Sequence, residues 1–305
     1  MAILRTATIV GLLVIIVNGH RVNIDWSQVK SITEFDHYWQ RLPAKIRDLR
    51  YKHPSIRIVG GAEATPGQFP YQAALLSEFT VGTGLCGATL ITHNYILTAA
   101  HCVIGGDEKP ALNGTTILGA HDRTQMEASQ QHIPYPKSSI TAHPHYNSNT
   151  IRNDIATVYL PTAAKFNVRV QPIALPAYSD DRSFAGMEGI ASGFGRTSDN
   201  SIATSPVVMF TRNSILSNEE CNTFWDTSLV SDQNVCLDPT GGTSACNGDS
   251  GGPLAVEDDD GRSLQIGITS FVSAKGCASG APPVWVRVSH YRDWIKDNSD
   301  YVFSA

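Results

Sequence analysis

The sequence predicts an all-β protein, a sandwich or barrel built twice over and closed by one C-terminal helix. Three observations predict it. Short apolar or alternating runs, separated by turn residues, recur from residue 58 onward. Helical periodicity is scarce over that same stretch. The 248 residues from 58 to 305 also exceed one small barrel, so two units are needed.

The residues before 58 read differently. "MAILRTATIVGLLVIIVNGH" carries Arg5, an apolar run from Ala7 to Val17, then the small Gly19. That is the pattern of a secretory signal over residues 1–19, cut near Gly19 or His20, and the run is too short to anchor in a bilayer. Residues 20–57 follow as a pro-segment. Ser31 with Glu34 fits a capping box, and Phe35, Tyr38, Trp39 and Leu42 recur at helical spacing before Pro43. The spacing predicts one short amphipathic helix and then a basic linker; a disordered leader is the alternative.

From Ile58 the runs are "YQAALL", "CGATLI", "YILTAA", "TTILGA", "DIATVYL", "IGITSFV" and "VWVRV". A proline-marked stretch near 161–176 is the natural seam between the two units. At the end, "SHYRDWIKDN" sets Tyr291, Trp294 and Ile295 on one face, a helix packing an apolar stripe.

Composition narrows the function. The apolar share of 42% and charged share of 17% fit a globular protein. The net charge of −5 is unevenly placed: residues 1–57 hold nine Lys/Arg against four Asp/Glu, and residues 58–305 hold fourteen against twenty-four. An acidic main unit argues against nucleic acid as a partner, and no segment after the signal is long and apolar enough for a membrane span. Secretion makes three disulfides the expectation for the six cysteines, although spacing does not choose among fifteen pairings. A zinc site would want a short C-x-x-C, which no pair shows. Asn113, in "NGT", is an N-glycosylation acceptor.

The chemistry centres on "GTSACNGDSGGPLAV", residues 242–256, where Ser250 stands among glycines beside Asp249. A surface turn is one reading. The other is a nucleophile on a tight loop, which needs a base at hydrogen-bond distance and a group to orient that base. "LTAAHC" ends a strand-like run on His101, and "NDIA" opens one on Asp154. "GDSGG" also fits the G-x-S-x-G elbow of α/β-hydrolases, but that elbow requires a helix after the serine, and Gly251, Gly252 and Pro253 follow instead.

"LTAAHC", "NDIA" and "GDSGGPL", in that order, with "RIVGG" at 57–61, resemble the signature stretches of the chymotrypsin/trypsin family of secreted serine proteases over nearly all of 58–305. The resemblance implies two packed six-stranded antiparallel β-barrels with a C-terminal helix. It implies His101 as general base, Asp154 as its orienting partner, Ser250 as nucleophile, and the Gly248 and Ser250 N–H groups as the oxyanion hole. Activation would follow cleavage after Arg57 by a trypsin-like protease, and the new Ile58 amine would pair with Asp249. The disulfides would be Cys86–Cys102, Cys221–Cys236 and Cys246–Cys277. With no cysteine before Cys86, the pro-segment would leave once cut.

By the same resemblance Ser244 stands at the base of the S1 pocket, Ser270 supports Asp154 and the substrate backbone, and Phe271, Val272 and Pro283 form the wall. A serine rather than an aspartate at 244 argues against Arg or Lys at P1, because a buried carboxylate is what would select them. Val272 narrows the slot toward Leu, Met or smaller side chains over Phe or Trp. Ala120 and Gln130 stand where a calcium loop would need carboxylates, so neither metal nor cofactor is expected. The expected partners are protein or peptide substrates, an activating protease and protein protease inhibitors; the expected state is a secreted monomer with digestive or general proteolytic activity. A regulatory protease of narrow range and a non-catalytic homologue acting as a binding protein are the alternatives.

Overall fold

The computed structural model describes residues 22–40, 61–198, 201, 203–242, 244–277 and 279–304. The expected signal at 1–19 and the cleavage site Arg57–Ile58 lie outside the described residues.

Two short strands come first, β1 (Val29–Ser31) and β2 (Ala62–Glu63). The first sheet then holds β3 (Gln72–Phe79), β4 (Gly82–Leu90), β5 (Tyr95–Thr98), β6 (Asn113–Leu118), β7 (Gln131–Pro136), β8 (Ile140–Ala142) and β9 (Ala156–Tyr159). Its order is β7-β6-β3-β4-β5-β9-β8, with β1 added parallel to β4. The two ends of this path, β7 and β8, are consecutive in the chain across the turn Lys137–Ser139. The sheet therefore curls back on itself, while its hydrogen-bonded ladder stays open between them.

The second sheet holds β10 (Glu188–Gly193), β11 (Met209–Leu216), β12 (Asn234–Leu237), β13 (Pro253–Glu257), β14 (Ser263–Phe271) and β15 (Val284–Arg287). The order β10-β13-β14-β15-β12-β11 closes on itself through the β10–β11 pairing, and β2 joins the outer edge of β11. This is a closed six-stranded antiparallel barrel. The expected double-barrel architecture is present; the first unit is a curled half-barrel in its hydrogen bonding, the second a full ring. The stretch 161–176 lies between β9 and β10.

The seven runs singled out in the sequence fall on β3, β4, β5, β6, β9, β14 and β15. "YQAALL" reads as a continuous apolar run because β3 is buried on both faces. Ala73 and Leu75 enter the first unit's core, and Ala74 and Leu76 pack with Leu85, Ile117 and Phe194. The second barrel fills with Ile215, Leu237, Leu254, Ile266 and Trp285.

All six cysteines pair as the resemblance implied: Cys86–Cys102, Cys221–Cys236 and Cys246–Cys277. The C-terminal helix is shorter than its pattern. Val288–Tyr291 form a 3-10 turn, and only Arg292–Asp297 (α3) are α-helical, with Tyr291 and Ile295 buried.

Residues 22–40 are ordered against the main unit. The capping box at Ser31 exists, but it starts a 3-10 turn, Ile32–Glu34, and the helix restarts as α1 (Asp36–Gln40). The expected single helix is split in two there. Leu42 and Pro43 lie outside the described residues.

Candidate active site

Strand register brings His101 and Asp154 together. β5 pairs antiparallel with β9, with Thr98 opposite Ala156. Three residues beyond Thr98 and two before Ala156, the chains meet. His101 sits in a one-turn 3-10 helix, Ala100–Cys102, pinned to β4 by Cys86–Cys102. Its backbone N–H donates to Asp154 Oδ1 at 3.0 Å, and its Nδ1 lies 2.8 Å from Oδ2. Ser270 Oγ donates to the same Oδ2 at 2.6 Å. Asp154 is wholly buried and His101 is 1% exposed. Charge-assisted bonds inside so dry a site are strong and fix orientation. With Asp154 ionised, the proton belongs on Nδ1, and Nε2 is the basic nitrogen.

Ser250 is buried on the loop leading into β13. Its carbonyl accepts from Gly87 N–H on β4 at 2.7 Å, and Gly251 N–H donates to Thr269 O at 2.8 Å. These bonds tie the loop beside Cys86 and beside Ser270. Gly251 has φ +77°, and a Cβ there would collide with Thr98 Oγ1 and stand 2.6 Å from Gly87 O. Gly248 has φ +106°, and a Cβ would come within 2.7 Å of Thr204 Cγ2. Only glycine suits both places. A strand follows the serine, so the hydrolase-elbow alternative is excluded.

Asp249 accepts from Gly195 N–H at 2.8 Å and Cys246 N–H at 2.9 Å. Part of the residue is exposed, but the carboxylate is so enclosed that a Cβ on Gly193 or Gly195 would strike it. Burial pushes its pKa up to about 6, against the lowering effect of the two N–H bonds. Among the described residues it makes no ion pair.

Of the remaining site residues, Val272 is the one seen to pack against Cys246–Cys277, and it packs on the second core as well. Ser244 is buried and its hydroxyl donates to Ala245 O at 2.8 Å. Phe271 is buried, and Pro283 is buried immediately before β15. Asn113 is exposed at the start of β6. In the loop where Ala120 and Gln130 stand, the Gln130 amide donates to Asp122 O at 2.8 Å and Gln125 O at 3.0 Å. Cys86, His101 and Cys102 lie close enough to suggest a metal, but both sulfurs are in the disulfide and Nδ1 is against Asp154. These groups do not fit a metal site.

Two residues escaped the sequence reading, and a third, Tyr291, was read only for its helix face. Trp225, after helix α2 (Asn218–Cys221), meets Phe271 edge-on at 5.3 Å and donates to Pro282 O at 2.9 Å. Asn153 holds φ +54° directly before Asp154, and Tyr291 OH donates to its Oδ1 at 3.0 Å. The only local signal was the tolerance of asparagine for that left-handed turn.

Comparison with known proteins agrees with this geometry. The trypsin family model matches residues 58–295. Brachyurin of Leptuca pugilator is 38% identical over 239 residues, covering 78% of this chain and 97% of the relative. Chymotrypsin of Phaedon cochleariae is 36% identical over 249 residues, covering 81% and 84%. A solved HL collagenase structure superposes with a TM-score of 0.69 at 33% identity, covering 81% of this chain and all of the other. A fold, a buried His101–Asp154 pair, a buried Ser250 on a glycine loop and a family match over most of the chain converge: this chain belongs to the trypsin family and is a serine-type endopeptidase.

Proposed function

We propose that the chain is a secreted zymogen, activated by cleavage after Arg57, which then hydrolyses protein or peptide substrates with an apolar P1 side chain in digestive or general proteolysis. Ser250 attacks the peptide carbonyl, and His101 takes its proton through Nε2 and returns it to the leaving amine. Asp154 holds the tautomer and stabilises the imidazolium. Gly248 and Ser250 N–H groups take the developing oxyanion, where losing one donor costs about 10²–10³ in rate. Water then reverses the sequence on the acyl-enzyme.

The observation that carries the specificity reading is the uncharged, buried Ser244, whose hydroxyl is already engaged by Ala245 O. No carboxylate at that position greets a P1 cation, and Val272 is the residue that sets the width. The test is the P1 profile of the enzyme cut by trypsin and freed of it, using matched anilides ending in Phe, Leu, Ala and Arg. Leu or Ala above Phe is expected. Dominant Arg cleavage would remove Ser244 from the pocket base.

Ser270 is a positioning residue, acting through Asp154. Ser270→Ala removes a bond to a buried carboxylate, worth roughly 1.5–3 kcal/mol. The expected result is a lowered Tm and a fall in kcat of about tenfold, which corresponds to about 1.4 kcal/mol. Ser270→Thr, which keeps the hydroxyl, should restore much of the rate. An unchanged kcat in the alanine variant would end the role.

A further inference from the structure

Residues 22–40 do not hang from the enzyme. They lie in a groove that begins at the β4 edge and ends over His101. β1 adds a parallel strand to β4, pairing Val29 with Thr83 and Ser31 with Leu85, an instance of binding by strand addition. Ile32 is wholly buried, Phe35 is 7% exposed and Tyr38 is 2% exposed, and all three belong to the first unit's core. The Tyr38 ring meets the His101 imidazole edge-on, with centroids 5.3 Å apart.

The groove fits these anchors. A Cβ on Gly84 would stand 2.8 Å from Ile32 Cδ1, and one on Gly106 would stand 2.6 Å from the His37 Cβ. Any larger residue at either place would displace the segment. Charge adds to the seat: Glu34 lies 3.6 Å from Arg196, and Arg123 stacks over Trp26 at 4.6 Å. Buried aromatic anchors of this kind carry most of the energy of an interface. None of these contacts involves the bond that activation would cut.

We propose that residues 22–40 are an active-site-directed inhibitor of this enzyme, held by their own packing after cleavage at Arg57, so that cutting alone does not release activity. The inference rests on the zymogen reading above. It replaces the expectation that an untethered pro-segment leaves at once. With Tyr38 packed edge-on against the imidazole and His101 1% exposed, a substrate has no open approach to the base while the segment is seated. Activity then appears only when the segment dissociates or is itself degraded.

The test uses the full chain cut after Arg57, with the released pro-segment, residues 20–57, removed by dilution and gel filtration. A labelled synthetic peptide of residues 22–40 is titrated against it, binding followed by anisotropy and inhibition by anilide hydrolysis. The expected result is binding and competitive inhibition in the micromolar range, with the peptide recovered intact by mass spectrometry. The Tyr38→Ala peptide should inhibit at least tenfold more weakly, and full-length Tyr38→Ala, cut at Arg57, should show full activity without dilution. Hydrolysis unaffected by the peptide, equal inhibition by the Tyr38→Ala peptide, or cleavage of the peptide as an ordinary substrate would each overturn the inference. Peptide binding by a segment-free protein that hydrolyses no anilide would leave the docked segment standing and overturn the protease reading instead.

Discussion

Ser250→Ala in the cut enzyme should lower kcat by about 10⁶, a magnitude carried over from a serine protease of unrelated fold. KM should change little, because the hydroxyl bonds to substrate only as the reaction proceeds. His101→Ala should cost about as much, and the double variant no more than either single one. The reason is that proton transfer and attack are one event. A base without its nucleophile, or a nucleophile without its base, does nothing further. The measurement is anilide hydrolysis after complete cleavage at Arg57, with cleavage verified by mass and the activator removed. A Ser250→Ala enzyme that kept a hundredth of the activity would end the assignment. The pH profile gives a second check. The imidazole must be neutral to accept the proton, so kcat/KM should fall as the solution is acidified, and a flat profile from pH 5 to 8 would remove His101 as base.

The motif residues of this site were legible in the sequence because each is local. Short strand ends place His101 and Asp154, and glycines flanking Ser250 leave only one kind of loop. Ser270 came with the resemblance and does bond Asp154, but Trp225 and Asn153 were not legible, because their contacts join distant parts of the chain. Trp225, after α2, meets Phe271 at the end of β14, and Tyr291 reaches Asn153 from the C-terminal turn. The strands divide in the same way. β7 carries Pro134 and Pro136, tolerable because it ends the sheet path and bonds on one side only to β6. β10 carries Gly189, where a Cβ would stand 2.7 Å from Leu237 Cδ1, so tight packing removed the side chain that would have advertised a strand. The capping box at Ser31 was readable, but its burial was not. Nothing in residues 22–40 alone announces a groove on β4.

Asp249 should make the uncut chain lose stability as pH rises, the reverse of the usual carboxylate. Its folded pKa of about 6 lies above the ordinary 3.8, with burial as the cause. Between those two values the folded chain holds a proton that the unfolded chain has released, so stability falls across that window and is level above it. At about 1.4 kcal/mol for each pH unit between them, the loss is about 3 kcal/mol. The carboxylates with lowered pKa values, among them Asp107, Asp180, Glu220 and Asp260, act in the opposite sense below about pH 4. His143 and His290, lowered from 6.5 by burial, oppose Asp249 as pH rises toward that value. The reading is therefore the difference from an Asp249→Asn variant, in which those contributions cancel. Urea unfolding of the uncut chain and of Asp249→Asn, from pH 4.5 to 7.5, should show stability of the parent falling relative to the variant. Parallel curves would mean that the carboxylate is not desolvated. Cleavage should weaken this effect. A new Ile58 ammonium beside Asp249 would favour the ionised form and lower its pKa from about 6, so the cut enzyme should lose less stability across the window than the uncut chain. The cut Asp249→Asn enzyme has no carboxylate to receive the amine. Its oxyanion loop should stay as in the precursor, with a loss of about 10²–10³ in kcat. On the proposed zymogen reading, the enclosed carboxylate, which makes no ion pair among the described residues, would be a strain held in the precursor, and the Ile58 amine freed by cleavage would relieve it.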